Sequence, residues 1–347
     1  MSNEYSAVAA KLRTMHARFL TEGDYEELLG KKSVADVCAY LKTTEGYMDV
    51  LDGVNEREMH RGVMELLLEQ DIMDEYVRLY NFVDKGKRDL LKFWFVSREI
   101  EFLKREIRYI YTHDERSADA VNQGRFDAFF ETHTRINREL MQNASSLSDC
   151  AAACEGTPYA AVIQRAENIG ADFFTLGMLF DTYYYVALWR AAGKRLDGEQ
   201  RSLLSGLIGA KTDMLNLMWI YRCKKYYNVD SDIIFTYLLP IHHRINDDAL
   251  RQLVAADGAD KFAALAGEIT VYGGLFDGLD NGRFPEENFR VMYNSLSKRI
   301  FVNHSESFAA ICAYLNLKEV ELNNITTITE GIRYNLNTES IRQHIGI

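Results

Sequence analysis

Apolar residues recur at spacings of three and four along much of the chain, the period of a helix with one buried face. Val8, Leu12, Met15 and Phe19 make the first such stripe. Ser33 stands three residues before Asp36 and predicts a capping box for a helix carrying Val34, Val37 and Leu41. Two long arms follow, Arg57 to Asp84 and Lys87 to Tyr111, with a hinge expected near Gly86. Thr157 and Pro158 predict another helix start, since threonine caps free amides and the missing proline N–H costs nothing in the first turn. That helix continues through Ala161, Val162 and Ala166. Phe173 to Trp189 is densely aromatic, and the consecutive Tyr183, Tyr184 and Tyr185 cannot all face one core, so part of this face is expected at an interunit or partner surface. Ile233 to Leu239 is apolar enough for a strand but isolated, and reads as a helix leading into Pro240. Asp260 is expected to cap a helix through Phe262 and Leu265, and Gly273, Gly274, Gly278 and Gly282 predict a surface loop up to Pro285. No strand and helix alternate across glycine turns, so the expected class is all-α.

Three stretches repeat one pattern: Asp36 to Leu51 (DVCAYLKTTEGYMDVL), Asp149 to Ile163 (DCAAACEGTPYAAVI) and Asp260 to Phe276 (DKFAALAGEITVYGGLF). Their tyrosines, Tyr47, Tyr159 and Tyr272, lie 112 and 113 residues apart. A second landmark keeps the same phase. Glu99, Asp213 and Glu321 each open a helical segment 52, 54 and 49 residues after the corresponding tyrosine. Two landmarks in one phase argue for three similar helical domains, placed at residues 1–120, 121–230 and 231–347. Such a repeat suits a shaped scaffold better than a single catalytic pocket.

Composition narrows the function classes. The 347 residues suffice for two or three domains with their own cores. Only Pro158, Pro240 and Pro285 interrupt the chain as prolines, which favours long helices. Against 51 acidic residues stand 40 basic ones, and the net charge of −11 disfavours a nucleic-acid backbone as partner. Lys85 to Arg88 with Lys92, and Lys224 with Lys225, are local basic runs that read as solvated helix faces. Five scattered cysteines and an opening without a basic and apolar leader suggest free thiols in the cytoplasm. No stretch approaches the roughly 18 apolar residues of a membrane span, so any membrane connection is expected to run through a partner.

Motifs for chemistry are incomplete. Gly209-Ala210-Lys211-Thr212 lacks the glycine before lysine that a phosphate loop needs, and it sits inside a helical pattern. Asp277, Asp280 and Asn281 offer carboxylate and amide oxygens at turn spacing, but Gly282 and Arg283 break a calcium-loop register. Cys150 and Cys154 share a helical face without a second ligand pair, and His242 and His243 diverge if helical. No serine sits in a nucleophile elbow. The recurring Glu99, Asp213 and Glu321 are expected to be structural, as helix N-terminal charges stabilising a first turn. No catalytic, cofactor or metal site is expected.

The tyrosine segments, the EIEFLKREIR-type helices, and above all Trp219 to Tyr227 (WIYRCKKYY) followed by Ile234 to Pro240 (IFTYLLP) carry a resemblance that extends over the whole chain, through the Thr326 to Asn337 tail. The chain is similar to the C subunits of the bacterial and archaeal V-type (A-type) ATPases and ATP synthases, whose eukaryotic relative is the d subunit. The resemblance implies a funnel of three helical domains in pseudo-threefold arrangement. It implies a non-catalytic central-stalk rotor subunit on the cytoplasmic face of the membrane, peripheral and without a span of its own. Its partners would be the axle subunits and the membrane rotor ring, and it would transmit torque for ATP-linked H⁺ or Na⁺ translocation. The alternative from another class is a soluble helical-repeat adaptor unrelated to ion transport. Arg108, Arg222, Lys224, Lys225 and Tyr184 are candidate partner-facing residues, and Tyr47, Tyr159 and Tyr272 are read as packing residues. The position of Arg108 and Arg222 carries Glu330 in the third repeat, and Asp213 replaces the outer glutamates, so the three units are expected to face different neighbours.

Overall fold

The computed structural model describes residues 3–112, 125–227, 229–281 and 283–345, and every regular element among them is helical. In chain order these are α1 (Asn3–His16), α2 (Glu22–Leu29), α3 (Val34–Leu41), α4 (Arg61–Phe82), α5 (Lys85–Thr112), α6 (Arg125–His133), α7 (Arg138–Gln142), α8 (Leu147–Ala153) and α9 (Pro158–Asn168). There follow α10 (Phe173–Arg195), α11 (Gly198–Arg222), α12 (Ser231–Tyr237), α13 (Asp247–Ala255), α14 (Gly258–Ile269), α15 (Pro285–Asn303), α16 (Phe308–Arg333) and α17 (Thr338–His344). Compactness groups the described chain up to Val83 with that from Gly274 onward, and places most of Asp84 to Gly273 in a second unit.

In the first unit α16 is the central rod. α4 and α15 run along it, α1 and α3 lie on it, and α17 bridges it to α2. Phe308, Ala309, Ala310, Ile311, Ala313 and Tyr314 are all buried, so the N-terminal part of α16 faces neighbours on every side. In the second unit α10 takes that place, packed against α5, α9 and α11, while α8 sits on α5 and α14 on α11.

Local chemistry sets the helix starts. The Ser33 hydroxyl accepts from the Asp36 amide at 3.1 Å and donates to its carboxylate at 2.8 Å. Thr157 Oγ1 accepts from the Tyr159 amide at 3.2 Å, with Pro158 as the first helical residue. Ile233 lies in α12, as its isolation from any other apolar run suggested. Several boundaries differ from expectation. α4 starts at Arg61 because Asn55 caps a short 3₁₀ turn at Glu56–Glu58, and the break before α5 falls at Val83 and Asp84, with Gly86 already in the first turn of α5. Asp257 stands at the N-cap position of α14, and Asp260 lies within its first turn. The glycine-rich stretch after Tyr272 coils into 3₁₀ turns at Gly273–Phe276 and Leu279–Asn281; Leu275 and Phe276 are buried, and their apolar area draws the turn inward. Gly282 lies outside the described residues.

Candidate functional site

Glu99, Asp213 and Glu321 lie 14, 15 and 13 residues beyond the first residues of α5, α11 and α16. Their reading as N-terminal charges is therefore corrected: mid-helix amides are already bonded to the preceding turn, and no free helix end exists there for a carboxylate to stabilise. All three are buried. Their hydrogen bonds come from other elements.

Glu99 accepts from Thr134 Oγ1 at 2.6 Å and from the Tyr159 hydroxyl at 2.7 Å. Asp213 accepts from the backbone amides of His243 and Arg244, at 3.2 and 2.6 Å, and the Tyr272 hydroxyl is its side-chain partner. Glu321 accepts from the Leu20 amide at 2.7 Å and from the Tyr47 hydroxyl at 2.6 Å. Each tyrosine thus engages the carboxylate of the preceding repeat: Tyr159 that of the first, Tyr272 that of the second, and Tyr47, at the start of the chain, that of the last. The two sequence landmarks are two halves of one contact. A third component, the donor 25 to 29 residues before each tyrosine (Thr134, His243 with Arg244, Leu20), was missed by the sequence reading, because two of the three donate through the backbone and leave no side-chain signature.

The energetic sense is consistent. A buried carboxylate is costly unless paired or hydrogen-bonded. Bonds to a charged acceptor recover roughly 1.5–3 kcal/mol each. Burial raises the carboxyls of Glu99 and Asp213, and their hydrogen bonds pull them back down. Burial and the adjoining carboxylate hold the phenols of Tyr47 and Tyr159 well above their ordinary range, so these hydroxyls remain donors.

Two glycines make the approach possible. A Cβ on Gly46 would strike the Arg18 carbonyl, so the residue beside Tyr47 has to be glycine for the two loops to meet. A Cβ on Gly209 would lie 2.5 Å from that of His243. The would-be phosphate loop at Gly209 is a helical surface on which the Asp213-capping segment rests. His243 belongs to that non-helical segment rather than to a helix, and the neighbouring His242 Nε2 lies 3.1 Å from Asp247.

The third repeat adds a feature also missed from sequence. Lys318 on α16 is 2% exposed, with Nζ 2.9 Å from Asp71 Oδ2, 3.2 Å from Glu321 Oε1 and 3.2 Å from the Tyr47 hydroxyl. Its ammonium also lies 4.5 Å from the centre of the Tyr47 ring. Asp71 and Glu75 are neighbouring turns of α4, and Glu75 accepts from the Tyr314 hydroxyl at 2.6 Å. One lysine faces three buried carboxylates. Glu75 is pushed up to about 7, by burial first and by Asp71 and Glu321, against the lowering pull of Lys318 and the Tyr314 bond. At the positions matching Lys318, three residues before the repeat carboxylate, α5 has Val96 and α11 has Ala210. A lysine inside the apolar run AICAYLNLKEVEL was the available signal.

The candidate partner-facing residues scatter. Arg108 and Lys225 are exposed, whereas Arg222 is half-buried. Lys224 Nζ donates to the carbonyls of Val254 and Ala256 at 2.6 Å each, holding the end of α13. Tyr184 is half-buried and meets Phe93 and Tyr185 edge-on, at 6.4 and 4.9 Å. Glu330 pairs with Arg61 at 2.9 Å. The structure gathers none of these into one site.

The ATP synthase (C/AC39) subunit family model matches residues 8–344. The chain belongs to that family. Among similar members, the C subunit of the A-type ATP synthase of Thermococcus kodakarensis is 22% identical over 99% of this chain and 90% of its own. That of Methanosphaera stadtmanae is 21% identical over 95% and 84%, and that of Methanobrevibacter smithii 23% over 95% and 84%. In this C/AC39 member no helix among the described residues is long and apolar enough to cross a membrane, and no three His, Cys, Asp or Glu side chains there are placed to hold a metal ion. No disulfide joins the five cysteines, and Cys150 and Cys154 are buried. The tyrosine–carboxylate contacts are buried and tie separate elements together.

Proposed function

We propose that this chain is a non-catalytic subunit of an A-type ATP synthase that couples the central axle to the membrane rotor ring at the cytoplasmic face, transmitting torque for H⁺ or Na⁺ translocation. Three similar domains at about 1–120, 121–230 and 231–347, in a pseudo-threefold funnel, would form the socket. Family membership over nearly the full length carries the reading. The bracing supports it: a part that transmits twist needs elements that do not slide, and the three carboxylates tie loops and tyrosines onto mid-helix positions of long rods. Arg108, Arg222, Lys225 and Tyr184 are the side chains proposed to meet partners.

The test is a tagged chain in its native cell, gentle solubilisation, and mass spectrometry of what co-purifies. Axle subunits and ring recovered with about one copy of this chain, plus loss of ATP-driven ion transport on its deletion, is the expected result. Soluble partners alone, with transport intact after deletion, would make the chain a helical adaptor instead.

A further inference from the structure

The cleft between α15, α16 and α17 in the first unit has a charge imbalance that the bracing contacts do not use. Its cavity is about 210 Å³ and is lined by Arg283, Arg290, Asn323, Arg342, Gln343 and His344, among others. Two of the charged lining groups are already engaged. Arg342 forms a two-pronged pair with Glu26, its second nitrogen at 2.6 Å, and Glu287 accepts from the Phe284 amide at 3.2 Å and lies 2.5 Å from His344 Nδ1. The guanidiniums of Arg283 and Arg290 have no carboxylate partner among the described residues. In a chain of net charge −11, two such cations beside the amide side chains of Asn323 and Gln343 make a local cationic concavity against the overall field.

We propose that this cleft binds a phosphate-bearing ligand, with Arg283 and Arg290 as paired forks on its oxygens and Asn323 and Gln343 as neutral donors. Planar guanidinium forks match phosphate oxygens two at a time, and the amides satisfy further oxygens without adding charge. The volume suits a phosphate or diphosphate group and leaves a larger body outside the cleft, so the phosphate would come from a soluble phosphorylated compound or from a lipid headgroup.

Calorimetric titration of the full chain with inorganic diphosphate is the first measurement, repeated at higher salt. Binding at one site is expected, weakened about tenfold or more in the double variant Arg283→Gln/Arg290→Gln, since each charge-assisted bond is worth roughly 1.5–3 kcal/mol. Arg290→Lys keeps the charge but loses the fork, and should fall in between. Arg165→Gln, an exposed arginine on α9, should change nothing. Arg283 is exposed and Arg290 half-buried, and unchanged far-ultraviolet circular dichroism verifies the fold of each variant. Sedimentation with phosphatidylcholine vesicles, with and without a phosphoinositide, separates the sources: vesicle binding that needs both arginines and is displaced by diphosphate assigns a lipid headgroup, and diphosphate binding without vesicle binding assigns a soluble compound. Absence of binding to either probe, or binding undiminished in the double variant, overturns the proposal.

Discussion

Replacing Glu75 by glutamine removes a charge for which the contact between α4 and α16 has no cation to spare. Lys318 is already shared between Asp71 and Glu321, while Glu75 faces Asp71, Glu321 and the Tyr314 hydroxyl from a buried position. Burial first, and then Asp71 and Glu321, push its carboxyl up to about 7 in the folded protein, against an ordinary value of 4.5. The folded state therefore holds a proton that the unfolded chain has lost across that interval, and stability falls as pH rises through it. At about 1.4 kcal/mol per pH unit, the full loss is about 3 kcal/mol, complete above pH 7 and absent below 4.5. A neutral glutamine amide at this position resembles the protonated acid and would escape this loss while keeping an oxygen for Tyr314. The advantage of Glu75→Gln over the parent should then grow by about 2 kcal/mol between about pH 5.5 and pH 8. Trp94, Trp189 and Trp219 all lie in the second unit, so their fluorescence does not follow this site. Hydrogen exchange of α4 and α16 peptides does, with variant and parent compared at each pH so that the intrinsic exchange rate cancels. A difference that stays flat across this range would refute the claim that Glu75 carries the unbalanced charge.

Three further outcomes follow from the same contacts. Lys318→Met leaves Asp71 and Glu321 buried without their cation and is expected to cost about 3–5 kcal/mol in the exchange of α4 and α16, with part of the loss recovered when Asp71→Asn is added. Tyr159→Phe removes one of the two hydroxyl donors to Glu99 and should lower the urea stability followed by tryptophan fluorescence by about 1.5–3 kcal/mol; an unchanged midpoint would mean that the bond contributes nothing. Gly209→Ala drives a methyl into His243 and should loosen the segment that caps Asp213, costing about 1–3 kcal/mol and raising exchange at the Arg244 amide first, so that unchanged protection there would contradict the tight approach.

Much of the scaffold was legible because it is local. Helical spacing, the Ser33 and Thr157 caps and scarce proline specify elements through contacts within a few residues, and these held in the structure. Where a choice depended on neighbours, the reading slipped: the turn after Tyr272 folds inward because Leu275 and Phe276 find a core.

The bracing contacts divide the same way. The chain alone determined that a tyrosine and an acid recur together three times at nearly constant intervals, because spacing is read directly from the sequence. Only the tertiary structure decided that each tyrosine reaches the acid of the preceding repeat, with Tyr47 meeting Glu321 across 274 residues of sequence. Period carries no information on partner choice, because a hydrogen bond of 2.6 Å is set by how the long helices pack. The Lys318 cluster has the same origin: a lysine looks solvent-seeking in sequence, and only the carboxylates of a distant helix make its burial tolerable.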